Sequence, residues 1–213
     1  MLGDCRGSLP QASDMTEQGS GNVEQRQPME ERPKRNWFSG LFLPILIGVA
    51  IAMALRLWVV SPARVPSASM YPTIPATSSR NFAYVIVNKL ATELWPIHRG
   101  EVVVFHWPDD PSELFVKRVI GLPGDTVTVT SNAVYINGKK LVENNPDISK
   151  YNGTVVGTWK VPPGCYFMLG DNRPISDDSR LWVHKFVPRS MIVGEAEFVV
   201  YPFNKMSVIS QHV

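Results

Sequence analysis

Three stretches of the chain put hydroxyls, an amine and paired charges where they can do chemistry together. They are PSASMYPTI from Pro66 to Ile74, FVKRVIGLPGD from Phe115 to Asp125, and GDNRPISDDSR from Gly170 to Arg180. A fourth, RGEVVVFHW from Arg99 to Trp107, is a generic apolar strand and says little alone. The candidate nucleophile is Ser69. Standing before Met-Tyr-Pro, it reads by itself as a turn or solvated serine. A serine hydroxyl attacks a carbonyl at neutral pH only when an adjacent base removes its proton. The histidines, His98, His106, His184 and His212, are scattered among ordinary strand and loop patterns, and no Asp-His pair has a motif to serve. Lys117 is the candidate base. An ammonium has no lone pair, so it serves only where its surroundings lower a pKa of about 10.4 toward neutrality, as apolar burial does. Read in isolation, a strand lysine reaches solvent, and D-N-R-P and S-D-D-S are good turn chemistry.

The elements that must hold these groups are mostly strands. In LFVKRVIG, alternation puts Phe115, Lys117 and Val119 on one face and Val116 and Arg118 on the other, so Phe115 and Val119 are candidates for a desolvating wall around the amine. From Arg64 onward the chain consists of short alternating runs: NFAYVIVNKL, EVVVFHW, ELFVKRVIGL, DTVTVTSNAVYINGKKLV, CYFML and EAEFVVYPF. Gly and Pro signals separate them, which predicts a mostly β domain. Asn137-Gly138 supplies the two positive-φ positions of a two-residue turn. It falls within a hairpin extension expected over about 125–160.

Ahead of that domain lie two segments of other character. Residues 1–36, rich in Gln, Glu, Ser, Gly and Asp, have the composition of a disordered tail. Residues 37–60 form an apolar run long enough to cross a bilayer, with Arg56 close enough to its end to snorkel. Arg32, Lys34 and Arg35 precede the run, whereas Arg64 and Arg80 are the first basic residues after it, so the tail is expected in the cytoplasm and 61–213 outside the cell membrane. The length of 213 residues leaves room for one core. A formal charge of +2 with 19% charged residues points to no nucleic-acid surface. Cys5 and Cys165 are too few and too far apart for a disulfide scaffold and read as free thiols. No His or carboxylate cluster has metal-ligand spacing, and no cofactor is expected. Met70, Tyr71 and Ile74, beside Ser69, are expected to seat the catalytic face on the membrane surface.

In this order and behind an apolar span, the four stretches resemble the signature boxes of type I signal (leader) peptidases, the bacterial Ser-Lys dyad family. The likeness runs from the span nearly to the C-terminus. It implies an antiparallel β-sheet catalytic domain of the signal-peptidase type preceded by one N-terminal transmembrane helix. It also implies a membrane-bound serine endopeptidase that removes signal peptides from exported preproteins at small-x-small sites. Its partners are those preproteins and the lipid bilayer, not nucleic acid. On this likeness Ser69 is the nucleophile, Lys117 the general base, and the Ser69 backbone N–H and the Ser67 hydroxyl the oxyanion donors. Ser176 hydrogen-bonds the Lys117 amine, Asp178 and Arg180 form an ion pair bracing the loop, and Asp171 pairs with Arg118. Two departures are Ala68, where relatives more often have Gly, and LWVHKFVP, which lacks the Trp-Gly pair of many relatives. A negative φ at residue 68 makes the first tolerable. Two other readings compete: a catalytically silent β-rich binding module, against which the intact Ser67, Ser69, Lys117 and Ser176 set argues, and a self-cleaving Ser-Lys regulator. The latter is expected to carry a DNA-reading domain where this chain has its span.

Overall fold

The computed structural model describes residues 37–75, 82–143, 148 and 152–211, so the predicted tail at 1–36 lies outside it. A helix, α1, runs over Trp37–Trp58. Its apolar residues lie on every side, and those from Phe42 to Leu55 are exposed, Leu46 at 66% and Met53 at 57%. Among the described residues no helix is both long and apolar enough to cross a membrane. The span expected at 37–60 extends at both ends past the side chains described in α1, which are those of 42–55.

The other described residues are mostly β structure, with a short α-helix after the second strand. In chain order the elements are β1 (Val60–Val65), β2 (Ala83–Asn88), α2 (Lys89–Leu94), β3 (Val102–Trp107), β4 (Asp110–Gly121), β5 (Thr126–Val129), β6 (Val134–Ile136), β7 (Lys139–Lys140), β8 (Gly157–Lys160), β9 (Cys165–Leu169), β10 (Val187–Pro188), β11 (Ile192–Tyr201) and β12 (Ser207–Val208). They build an eight-stranded sheet in the order β1-β2-β11-β3-β4-β9-β10, with β12 beside β11, and a four-stranded sheet in the order β7-β6-β5-β8. The mostly β, antiparallel architecture expected from the sequence is what forms. Alternation decides the faces: β2 buries Ala83, Val85 and Val87 and turns Tyr84 outward. Those three join Val65, Met70, Ile74, Val104 and Val116 in one apolar cluster. The smaller sheet buries Val127, Val129, Val134 and Ile136 against Ile120, Phe167 and Leu169 of the larger. Each such side chain contributes about 1.5–3 kcal/mol by leaving water. The Asn137-Gly138 turn takes φ of 51° and 81°, as its residue types require.

Three elements differ from expectation. A strand begins at Val60, although it contains Pro62; proline is tolerated there because β1 is the edge of the sheet. The run NFAYVIVNKL does not stay extended to its end: the Asn88 side chain accepts from the Ala91 N–H at 3.2 Å and caps α2. The four residues of β8 carry no apolar run and pair with β5.

Candidate active site

Ser69 sits in the turns that follow β1 and is only 7% exposed. Two apolar neighbours pin that turn, because Met70 and Ile74 are buried in the first core cluster and the Ile74 N–H bonds back to Met70 O at 2.8 Å. The expected membrane-facing role of Met70, Tyr71 and Ile74 is therefore corrected. Met70 and Ile74 are spent on the core, and Tyr71 alone is exposed, at 48%.

Lys117 approaches from β4, opposite Val103 of β3. Its side chain is 3% exposed, and its Nζ lies 2.6 Å from Ser69 Oγ. The alternation read from the sequence places Phe115 on the same face, with its ring centre 5.5 Å from the amine. Phe115 stacks on Trp107 and meets Trp182 edge-on, so the amine is backed by an aromatic wall. Val119 belongs to that same cluster. Burial pushes the Lys117 amine down from 10.5 to about 8, against the opposing pull of Asp178, Asp177 and Asp171; Arg180 adds to the lowering. Ser67 Oγ lies 3.1 Å from Ser69 Oγ. Asn137 is the one non-glycine residue at positive φ among those described, so Ala68 meets the condition set for it.

The segment from Gly170 to Arg180 clasps the serine turn from behind. The Asn172 N–H donates to Ser69 O at 2.9 Å, and its side chain donates to Ala68 O at 3.2 Å. Asp178 and Arg180 form the two-toothed ion pair expected, at 2.8 Å on both contacts, and Asp178 also accepts from the Gly170 N–H. On the far face of β4, Arg118 grips Asp171 through two bonds of 2.8 and 2.7 Å. Its guanidinium also donates to Gly100 O and Ser210 O. Ser176 departs from expectation. Its hydroxyl is buried without a hydrogen-bond partner among the described residues, Lys117 included. It packs instead against the bare Cα of Gly170, where a methyl group would come within 2.1 Å of Ser176 Oγ and 2.6 Å of Ser69 O.

In front of Ser69 and Lys117 a cleft of about 270 Å³ is lined by Arg64 to Ser69 on one side and Glu113 to Lys117 on the other, together with Ile175 and Asp177. A second hollow of about 240 Å³, walled by Ala63, Val87, Val104, Leu114, Val116 and Val193, adjoins it. The first lies between the end of β1 and the first half of β4, and the second extends from these over Val87 of β2, Val104 of β3 and Val193 of β11. Among the described residues, β1 pairs only with β2, and β4 pairs with β9 only from Arg118 onward. Two strand edges therefore face the cleft unpaired.

A profile of the signal peptidase family, peptidase S26, matches residues 38–201. The chain belongs to the signal peptidase family. As a signal peptidase it is an enzyme, a serine peptidase of the signal peptidase I type. It is 36% identical over 192 residues to signal peptidase I of Bacillus caldolyticus, covering 84% of this chain and 96% of that one. Signal peptidase I S of Bacillus subtilis is 39% identical over 171 residues, covering 76% and 88%. The chain spans 64% of the length of signal peptidase I of Pseudomonas fluorescens, to which it is 34% identical. A solved signal peptidase I from Enterococcus faecalis aligns with 47% of this chain at 33% identity and a TM-score of 0.41. Sequence reasoning missed several residues of this signal peptidase's site. Asn172 orders the serine turn through its backbone, a role no residue type announces. Arg173 is fully buried, although its neighbours read as a solvated loop.

Proposed function

We propose that this signal peptidase is held in the cell membrane by α1 and cuts N-terminal signal peptides from exported preproteins with Ser69 as nucleophile and Lys117 as general base. The observation that carries the reading is the 2.6 Å separation between the Ser69 hydroxyl and a buried amine whose pKa is lowered. With the amine uncharged, the Ser69 O–H donates to Nζ. As Oγ bonds to the scissile carbonyl carbon, that proton passes to Lys117. The Ser69 backbone N–H and the Ser67 hydroxyl receive the developing oxyanion. Collapse breaks the C–N bond, Lys117 hands its proton to the leaving amine, and an ester on Ser69 remains. Water then attacks the ester while Lys117 takes its proton, the bond from the carbonyl carbon to Oγ breaks as Lys117 returns that proton to Ser69, and the signal peptide leaves with a new carboxyl group.

The substrate enters as an extended strand between the free edges of β1 and β4, so that backbone pairing gives affinity and the apolar hollows select small side chains. Anchoring supports the same reading. The exposed apolar residues of α1 suit a lipid environment, and a substrate whose own apolar segment shares the bilayer meets the enzyme at raised effective concentration. The basic residues before α1 favour a cytoplasmic tail and an extracytoplasmic peptidase domain. The test is incubation of the full-length protein in detergent with a radiolabelled preprotein. Ser69→Ala and Lys117→Met should each lose about a thousandfold or more in cleavage, and retained cleavage by either refutes the mechanism. In sealed inside-out vesicles, added protease should spare the peptidase domain; its digestion overturns the orientation.

A further inference from the structure

Behind the Gly170–Arg180 loop lies a second group of buried polar side chains that touches neither Ser69 nor Lys117. Arg173, fully buried, is paired with the carboxylate of Glu143, whose side chain is only 2% exposed. Its guanidinium also donates to Asn152 Oδ1 at 2.9 Å and to Gly170 O at 3.0 Å. Arg180 in turn donates to Arg173 O at 2.7 Å and to the backbone carbonyl of Asn152. Asn152 is completely buried and uses every polar group it has. Besides those two acceptors, its backbone N–H donates to Ser131 O at 2.9 Å and its side-chain amide to Thr130 O at 3.0 Å. Thr130 and Ser131 belong to the turn between β5 and β6. One asparagine thus ties the smaller sheet to both arginines of the loop.

We propose that Asn152, Arg173 and Glu143 are positioning residues that fix where the Arg180–Asp178 pair stands beside Lys117, so that the smaller sheet sets the charge balance around the general base. This rests on the reading of Lys117 as that base. Fully satisfied buried networks hold one geometry, and removing one member leaves an unpaired charge that must move. The charges acting on the amine are Asp171, Asp177, Asp178 and Arg180, all from the one loop. Glu113 of β4 and Arg64 of β1 line the cleft in front of it, Arg118 points to the other face of β4, and β3 places uncharged Val103 opposite. If Arg180 swings away, Asp178 loses its counter-charge, the protonated amine is favoured, and less free base is present at a given pH.

The test is the pH dependence of kcat/KM on a preprotein substrate, measured with the full-length wild type, Asn152→Ala, Glu143→Gln and Lys117→Met in detergent. For Asn152→Ala the acidic limb should move up by roughly 0.5–1 pH unit, the effect of displacing one charge near a buried group. The deficit, about three- to tenfold below the limb, should shrink above it. A limb that stays in place, or a deficit equal at every pH, overturns the proposal. Should Asn152→Ala fail to unfold cooperatively, Glu143→Gln decides alone. It keeps the shape and an acceptor, and it should show the same upward movement at smaller size; an unmoved limb there overturns the proposal equally. Cleavage by Lys117→Met would overturn the underlying reading instead, whereas an inactive Lys117→Met beside an unmoved limb overturns only the positioning role.

Discussion

Replacing Lys117 by Met should abolish cleavage and yet make the protein more stable. The amine is lowered from 10.5 to about 8 chiefly by burial. At about 1.4 kcal/mol per pKa unit, holding the charged form in this site costs about 3 kcal/mol below pH 8. Methionine has a similar shape, needs no desolvation of a charge, and suits the aromatic wall of Phe115, Trp107 and Trp182. Against this stands the lost hydrogen bond to Ser69, worth about 1 kcal/mol. The net expectation is a gain of about 2 kcal/mol near pH 7. Unfolded, the lysine keeps its proton up to 10.5; folded, it releases the proton near 8. Between those values the unfolded state binds more protons, so wild-type stability rises with pH across that window. The variant lacks this rise, and its advantage should disappear by pH 10.5. Denaturant unfolding in detergent, followed by tryptophan fluorescence at pH 7, 8, 9 and 10, measures the gap. A variant less stable than wild type at pH 7, or a gap that does not change with pH, would refute the account of a buried amine strained toward neutrality.

Two further outcomes follow from the same geometry. With the amine at about 8, roughly one tenth is free base at pH 7 and roughly nine tenths at pH 9, so kcat/KM should rise about tenfold between them; an acidic limb typical of imidazole would implicate a histidine instead. Gly170→Ala should cost about a hundredfold in kcat/KM, because the added methyl must displace Ser176 or the backbone of Ser69, and a misplacement of about 1 Å at a nucleophile has that effect. Wild-type activity in that variant would show that the serine turn yields freely.

Strands written in alternation were legible. Alternation alone puts Phe115, Lys117 and Val119 on one face of β4, and Asn137-Gly138 announces its turn. The sign of the Lys117 shift was legible for the same reason, since the apolar residues that desolvate it flank it in sequence. Where sequence reading failed, the deciding partner was distant or local polarity misled. Glu143, Asn152 and Arg173 look like solvated loop residues, and only the packing of one sheet against the other turns them into buried partners. Met70 and Ile74 look like an exposed apolar patch beside a serine, but the turn folds them into the core. Resemblance pairs Ser176 with Lys117, but the close approach of Gly170 gives its hydroxyl a different neighbour. Pro62 hid β1, because a proline argues against a strand unless that strand is known to be an edge.

Those two open edges carry a consequence for what can be cut at all. Unpaired edges normally invite copies of a protein to stick together, but these two flank a cleft of about 270 Å³. On the strand-like entry proposed above, admission depends on posture before chemistry: a client must offer a straightened stretch with its amides uncommitted. A helix arriving at the cleft has already spent those amides internally, so it must uncoil before its residues are read.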